Sequence, residues 1–219
     1  VMLEPVQGEG GVISPPDGYL KAVRQWCDEQ GILLILDEIQ TGVGRLGTMW
    51  GYEQFGIEPD VMTIAKAMGG GVPIGAFLCK DECDVLRPGD HGSTYGGNAL
   101  TCAASYAVLN HVKEEGLVEH GRLMGERLKG KLEEVKARHE TTIKEVRGMG
   151  LLLAVEFHEP ISGELVTSCN AGGLLLNPVR PTAVRFMPPL NISESEVDIA
   201  VDRFERALED TLERIEKAR

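Results

Sequence analysis

Continuous apolar runs separated by helix-like stretches organise the first half of the chain. Four runs are predicted strands: residues 1–3 (VML), 32–38 (ILLILDE), 60–66 (DVMTIAK) and 75–79 (GAFLC). A helix is predicted after Pro15 and Pro16, with Tyr19, Val23, Trp26 and Cys27 at helical spacing and an end at Gly31. Strands that are apolar on both faces and alternate with helices are typical of a parallel sheet with right-handed crossovers.

Two helices and a glycine-rich loop complete this first part. Residues 38–59 are predicted to form a long loop near a functional site, since long loops in compact domains commonly carry function. A helix rich in small residues is predicted from Asn98 to about Glu115. A second helix, over about 117–138, has an amphipathic stripe formed by Leu117, Met124, Leu128, Leu132 and Val135.

The pattern changes in the last third of the chain, where short strands precede one long helix. Residues 146–157, 173–178 and 183–190 are predicted strands of a smaller α+β unit. The last helix is predicted to begin at a capping box of Ser193 and Glu196. Its apolar stripe consists of Val197, Val201, Phe204, Leu208, Leu212 and Ile215. The boundary between the two parts is expected within about 115–140, in or after a connecting helix.

Composition and charge narrow the function classes. The 219 residues include 22 Lys and Arg against 34 Asp and Glu, which gives a net charge of −12. Such an acidic protein is not expected to bind nucleic acid, although a few local cations could still hold a small anionic substrate. No apolar run reaches the roughly 18 residues of a membrane span, so no membrane association is expected.

The five cysteines are scattered at positions 27, 79, 83, 102 and 169 and form no CxxC pair. Neither a zinc site nor a disulfide framework is therefore expected, and no metal is predicted. Reduced, mostly buried thiols in a cytoplasmic protein are the expectation. The chain also opens directly on an apolar strand, with no signal-peptide pattern, which predicts the C-terminal portion of a longer protein.

Three predicted parallel strands end in an ionisable residue: Glu4, Asp37 and Lys66. Singly, the aspartate could cap a turn, and the lysine and glutamate could be solvated. Together they predict a ligand crevice, because open α/β sheets bind ligands at the carboxyl ends of their strands. A desolvated lysine there would be a nucleophile or base able to form an imine with a carbonyl. The glycines at 69–71 would let the backbone pass close to a ligand or adopt positive φ.

Two further stretches are candidate parts of this crevice. Residues 91–98 (HGSTYGGN) combine hydroxyls and glycines before a helix, which suits a phosphate but also fits an ordinary loop capped by Asn98. Arg185 lies between apolar neighbours in a predicted strand, where it could face solvent or bind a carboxylate in a bidentate manner.

Six motifs occur in an order and spacing that resemble class III (ornithine-type) aminotransferases over essentially the whole chain. They are EPVQGEGG, LDEIQTGVGR, DVMTIAKAMGGGVPIGA, GSTYGGN, VRGMGLLLAVE and VRFMPPL. The resemblance implies an α/β protein of pyridoxal-phosphate (PLP) fold type I. Residues 1–125 would be the C-terminal portion of a large, mostly parallel-sheet PLP-binding domain with the connecting helix. Residues 126–219 would be the small α+β domain.

The resemblance assigns cofactor roles to five residues. Lys66 matches the lysine that binds PLP covalently and shuttles the proton, and Asp37 matches the partner of the pyridine nitrogen. Gln40 matches a hydrogen-bonding residue near the 3-oxygen of PLP. Ser93 and Thr94 match phosphate ligands that reach across from the neighbouring subunit, which implies a homodimer.

The resemblance also assigns substrate roles. Arg185 matches the arginine that binds a substrate carboxylate, and Glu9 matches the glutamate that pairs with it while the amino donor is bound. Strand position alone would put Glu4 in the crevice. The resemblance instead implies that Glu4 contacts residues of the site and not the ligand itself. Leu46 stands where the family often has threonine.

Within the family, the stretch AKAMGGGVPIGA and Asn177 favour the acetylornithine branch. The implied reaction transfers the terminal amine of N2-acetylornithine to 2-oxoglutarate, in arginine biosynthesis, and yields N-acetylglutamate semialdehyde and glutamate. Other donors (ornithine, 4-aminobutyrate, succinylornithine or acetyl-lysine), an aminomutase reaction and an inactive fragment stay open as alternatives.

Overall fold

The structure, a computed structural model, describes residues 1–218 and divides into two compact units. The first unit comprises Val1–Val6 and Pro15–Glu119. The second comprises Gln7–Ser14 and the chain from His120 onward. The short segment Gln7–Ser14 therefore packs with residues that follow it by more than a hundred positions.

The first unit contains a four-stranded sheet in the order β1 (Met2–Leu3), β2 (Ile35–Asp37), β3 (Val61–Ile64) and β4 (Ala76–Cys79). The pairs β1–β2 and β2–β3 are parallel, as predicted, and β4 is antiparallel to β3. Helix α1 (Tyr19–Gln30) connects β1 to β2, and α2 (Ala99–Glu114) follows β4. The carboxyl ends of β2 and β3 consequently lie side by side.

Helix α1 ends at Gly31 as predicted, where a left-handed φ of 63° suits glycine. Its predicted apolar face is only partly correct. Cys27 is buried together with Leu20, but Tyr19 and Trp26 are 49% and 47% exposed. The apolar run that follows the helix pairs as a strand only from Ile35, where the chain comes beside β1.

The second unit contains α3 (Leu117–Arg138), β5 (Ile143–Met149), β6 (Leu152–Phe157), α4 (Ser162–Ala171), β7 (Asn177–Arg180), β8 (Ala183–Phe186) and α5 (Glu194–Ala218). Its sheet is antiparallel with strand order β5-β6-β8-β7. Apart from Leu117, the predicted stripes of α3 and α5 pack in one core with β5, β6 and β8. Ser193 and Glu196 form the predicted capping box, since each side chain accepts the other residue's backbone N–H.

Two predictions for the second unit were wrong, and one helix was missed. Residues 146–157 form parts of two strands, because Gly150, at a φ of 51°, and Leu151 turn the chain into a hairpin. Helix α4 was not predicted, and the strand expected over 173–178 begins only at Asn177. Strands β5, β7 and β8 carry the three arginines described below.

The cysteines are not mostly buried, which corrects the expectation from composition. Cys27 and Cys169 are buried, Cys79 and Cys102 are exposed, and Cys83 is intermediate. Burial raises the pKa of the Cys169 thiol to about 11. Within residues 1–218, every helix is too short or too polar to cross a membrane.

Candidate functional site

Asp37 ends β2 directly opposite Thr63 of β3. Its Oδ1 accepts hydrogen bonds from the Ile39 amide at 3.0 Å and from the Thr63 hydroxyl at 3.2 Å. Oδ2 accepts no hydrogen bond from any residue that the structure describes. The carboxylate is therefore oriented through one oxygen while the other is available to a ligand. Sequence reasoning missed Thr63, although its place opposite Asp37 follows from the parallel register.

Lys66 lies two residues beyond the end of β3 and adopts a φ of 41°. A non-glycine residue in this left-handed region is strained by about 1–3 kcal/mol, and such strain clusters at functional sites. The side chain is exposed, not desolvated as strand position had suggested. Its Nζ makes no hydrogen bond or ion pair among the described residues. The amine is thus available at the strand end beside that of Asp37.

The glycines after Lys66 do two different things. Gly70 and Gly71 adopt φ values of 59° and 111°, as the sequence led us to expect. A β-carbon on Gly70 would lie 2.6 Å from Val108 of α2, so this glycine permits close helix packing. A β-carbon on Gly71 would meet nothing within 4 Å. Of these two glycines, only Gly71 leaves open space.

Glu38, which sequence reasoning overlooked, organises the loop that follows β2. Its carboxylate is 1% exposed and accepts hydrogen bonds from the Thr41 hydroxyl and from the amides of Gly51 and Tyr52, at 2.5–2.8 Å. Burial raises the pKa of Glu38 above its ordinary value, against the effect of these donors. Gln40 is buried in the same turn. A second carboxylate directly after Asp37 was the available sequence signal.

Residues 91–98 form an exposed loop before α2. The Ser93 hydroxyl accepts the Gly96 amide at 2.8 Å, and Thr94 is exposed beside it. Asn98 caps α2 by accepting the Thr101 amide at 3.1 Å. The ordinary capped-loop interpretation is thus correct for Asn98, while the hydroxyls of Ser93 and Thr94 stay accessible.

In the second unit, Arg185 and Glu9 form an ion pair although 176 positions separate them in the sequence. The Arg185 Nη1 donates to the Glu9 Oε1 at 2.6 Å. Arg185 lies in the central part of β8 and is 7% exposed, whereas the Glu9 side chain is 72% exposed. A buried cation thus faces an exposed carboxylate that can rotate away. Glu4, by contrast, lies half-buried just after β1 in the first unit.

Glu9 belongs to a loop, Gln7–Ser14, that we call the Glu9 loop. Gln7 and Ile13 close it through two backbone hydrogen bonds of 3.0 Å. Two arginines bind its backbone carbonyls: Arg147 of β5 donates to Gly11 at 2.7 Å and to Val12 at 3.1 Å, and Arg180 of β7 donates to Gly10 at 2.8 Å. Neither arginine was predicted, because a carbonyl partner leaves no signature in the sequence.

Arg147 is itself held by Glu156 of β6, at 2.6 Å. Burial would raise the pKa of Glu156, but the Thr182 hydroxyl and Arg147 outweigh it and hold the pKa below its ordinary value. The stability that this carboxylate contributes is therefore present above pH 4.5 and is lost as the pH falls through the lowered value.

We expect Glu156→Gln to flatten the acid side of the pH–stability profile of the second unit. Urea unfolding between pH 3 and pH 7, about the range of carboxylate titration, measures this change. The exposed Glu159→Gln variant serves as the control, and an equal flattening in both variants would contradict the role of the Arg147 pair.

The predicted site residues fall into two groups. Asp37, Gln40, Lys66, Ser93 and Thr94 belong to the first unit, whereas Glu9 and Arg185 belong to the second. The structure brings together Glu9 with Arg185, and the strand ends that carry Asp37 and Lys66.

Comparison with known proteins identifies the family. The family model described as Aminotransferase class-III matches residues 1–208. An acetylornithine aminotransferase from Thermosynechococcus vestitus is 48% identical over 211 residues, which cover 95% of this chain and 51% of that protein.

Two solved structures resemble the chain closely. The ornithine aminotransferase from Toxoplasma gondii, crystallised with oxidised glutathione and holding PLP at partial occupancy in its active site, superposes with a TM-score of 0.90. It is 36% identical, and the match covers 97% of this chain and 51% of that one. Acetylornithine aminotransferase from Elizabethkingia anophelis superposes with a TM-score of 0.89 and is 33% identical. The match covers 95% of this chain and 56% of that one.

The chain spans about half the length of the curated relatives that it matches. The family match nevertheless covers nearly all of this chain, and the predicted α/β fold of type I is confirmed. Class III aminotransferases are PLP-dependent enzymes. This chain belongs to the class III aminotransferase family.

Proposed function

We propose that the complete polypeptide carrying this chain transfers the terminal amino group of N2-acetylornithine to 2-oxoglutarate. The products are N-acetylglutamate semialdehyde and glutamate, in arginine biosynthesis. The observation that carries the proposal is Lys66, an available amine held at a strained φ of 41° next to the strand end of Asp37. Acetylornithine aminotransferases at 43–48% identity support the donor.

The residues of the first unit fit the three binding groups of PLP. The amine of Lys66 suits the aldehyde of PLP, and the carboxylate of Asp37 suits its ring nitrogen. The hydroxyls of Ser93 and Thr94 suit its phosphate. Asp37 fits especially well, because Thr63 orients one oxygen and leaves Oδ2 available. Gln40 would lie near the 3-oxygen. When bound, PLP supplies an electron sink for the carbanion that proton removal leaves.

Each residue then has a defined task. Asp37 would keep a proton on the ring nitrogen of PLP. Lys66 would remove the proton from the amine-bearing carbon of the substrate and would deliver it to the former aldehyde carbon of PLP. Since the Nζ of Lys66 has no competing partner among the described residues, it is free for both roles.

Arg185 and Glu9 would distinguish the two substrates. With the amino donor bound, Glu9 neutralises Arg185, as in the 2.6 Å pair. With 2-oxoglutarate, Glu9 rotates away and Arg185 binds a carboxylate, which a guanidinium suits by its two parallel donors. The exposure of Glu9 allows this exchange.

The assembly around this site is also a proposal. Residues 1–125 would be the C-terminal portion of the large PLP-binding domain with the connecting helix, and 126–219 the small domain. The protein would be a cytoplasmic homodimer in which Ser93 and Thr94 bind the PLP phosphate of the neighbouring subunit. Leu46, 1% exposed, would contribute packing where relatives often place threonine.

Amino-donor profiling tests the proposed reaction. With 2-oxoglutarate as acceptor, we expect kcat/KM for N2-acetylornithine to exceed that for ornithine and 4-aminobutyrate by at least about tenfold. Glutamate formation measures the rate, and the 219-residue chain alone is the comparison for the fragment alternative. A preference for ornithine would move the assignment to another branch of the family, and turnover with no donor would contradict it.

A further inference from the structure

Three arginines on three different strands hold the Glu9 loop. Arg147 of β5 and Arg180 of β7 bind its backbone, and Arg185 of β8 binds the Glu9 side chain. All three belong to the same compact unit as the loop itself. The loop is therefore anchored to one sheet at both its backbone and its functional side chain.

The backbone contacts fall directly after the functional residue. The carbonyls of residues 10, 11 and 12 all accept hydrogen bonds from arginine, at 2.7–3.1 Å. Charge-assisted hydrogen bonds of this kind are stronger than neutral ones. They fix the main chain at Glu9, so the carboxylate can leave Arg185 only by rotating its own side chain.

The loop is also shaped to accept these arginines. Gly11 has a φ of 114°, and a β-carbon there would lie 2.6 Å from the Arg180 Nε. Val12 is fully buried at a φ of 54°, a strained value for a β-branched residue. A strained backbone persists only when its surroundings determine it, and here the two arginines supply that constraint.

We propose that Arg147 and Arg180 are positioning residues that hold Glu9 opposite Arg185 and thereby set the preference between amino donor and dicarboxylate acceptor. The proposal rests on the proposed function of the Glu9–Arg185 pair. A loosened loop leaves Arg185 less neutralised. Dicarboxylates then bind more tightly, and the donor reacts less efficiently.

Arg180→Met in the complete polypeptide is the main test, because Arg180 is exposed and its loss leaves the sheet intact. We expect glutarate, a dicarboxylate probe, to bind about tenfold more tightly by calorimetry, the effect of one charge-assisted hydrogen bond. The ratio of kcat/KM for donor to kcat/KM for 2-oxoglutarate should fall by a similar factor. Arg180→Lys, which keeps a cationic hydrogen-bond donor, should have a glutarate affinity between those of Arg180→Met and the unsubstituted protein.

A double-mutant cycle separates positioning from a general structural role. If Arg180 acts through Glu9, adding Arg180→Met to Glu9→Gln changes glutarate affinity no further. Arg203→Met is the matched control, since Arg203 donates to the Gly173 carbonyl at 2.7 Å on another loop of the same unit, and it should change nothing.

Additive effects in the cycle, unchanged glutarate affinity in Arg180→Met, or equal loss for both substrates would overturn the proposal. Failure of the proposed function looks different. It appears as no turnover of N2-acetylornithine by the unsubstituted protein, whereas the glutarate measurement needs no turnover.

Discussion

Replacing Lys66 with alanine is expected to lower transamination by the complete polypeptide by at least about a thousandfold. In the proposed function, the substitution removes both the amine that would attach PLP and the base that would move the proton. Steady-state glutamate formation measures the loss. Borohydride reduction in the presence of PLP, followed by peptide mapping, should label Lys66 in the unsubstituted protein and leave the variant unlabelled.

Two further variants separate chemistry from strain. Lys66→Gly should be as inactive as the alanine variant, yet unfold at the same or a higher temperature, because glycine adopts a φ of 41° freely. Lys113→Ala removes an exposed lysine from α2 in the same unit and should keep full activity. Labelling that persists on another lysine in Lys66→Ala would show that the assignment is wrong.

Gly125→Ala is expected to destabilise the second unit by about 3 kcal/mol or more. Gly125 lies in α3 where the helix meets the turn between β5 and β6, and an added β-carbon would overlap the backbone of Gly150. The β-carbon is fixed to the backbone of α3 and the atoms that it meets are backbone atoms of Gly150. The overlap can therefore be relieved only by shifting the helix or the hairpin. Denaturant unfolding monitored by circular dichroism gives the free energy of unfolding.

Gly130→Ala, five residues later in the same helix, is the matched control. A β-carbon there meets nothing within 4 Å. Because alanine favours helix over glycine, this variant should gain about 0.5–1 kcal/mol of stability. Equal effects of the two substitutions would contradict close packing as the reason for glycine at position 125.

The apolar pattern predicts elements well where buried and exposed positions alternate with the period of a helix or a strand. The amphipathic helix expected over 117–138 is observed as Leu117–Arg138. The pattern fails where burial is continuous: Leu151, inside the turn between β5 and β6, is as fully buried as its strand neighbours. Since an apolar turn resembles an apolar strand, residues 146–157 read as one element. Helix α4 escaped notice because serine and asparagine dilute its apolar stripe.

Some residues of the candidate site could be predicted from the sequence and others could not. Asp37 and Lys66 could be proposed from position alone, since parallel strands bring their carboxyl ends to one edge. The pairing of Glu9 with Arg185 required the resemblance, because no local pattern connects residues so far apart. The arginines that hold the Glu9 loop could not be predicted at all, since their partners are main-chain carbonyls and any residue type offers those.

The Glu9 loop also constrains the order in which the chain can fold. It precedes its partners in the sequence by 135 to 176 positions. Contacts of such long range form late, because the entropy of closing the intervening chain must be overcome first. A fragment begun at His120 would lack the eight residues that place Val12 against Gly148. The second unit is therefore continuous in space but not in sequence, and the Glu9 loop can take its place only after partners more than a hundred residues further along the chain have been synthesised.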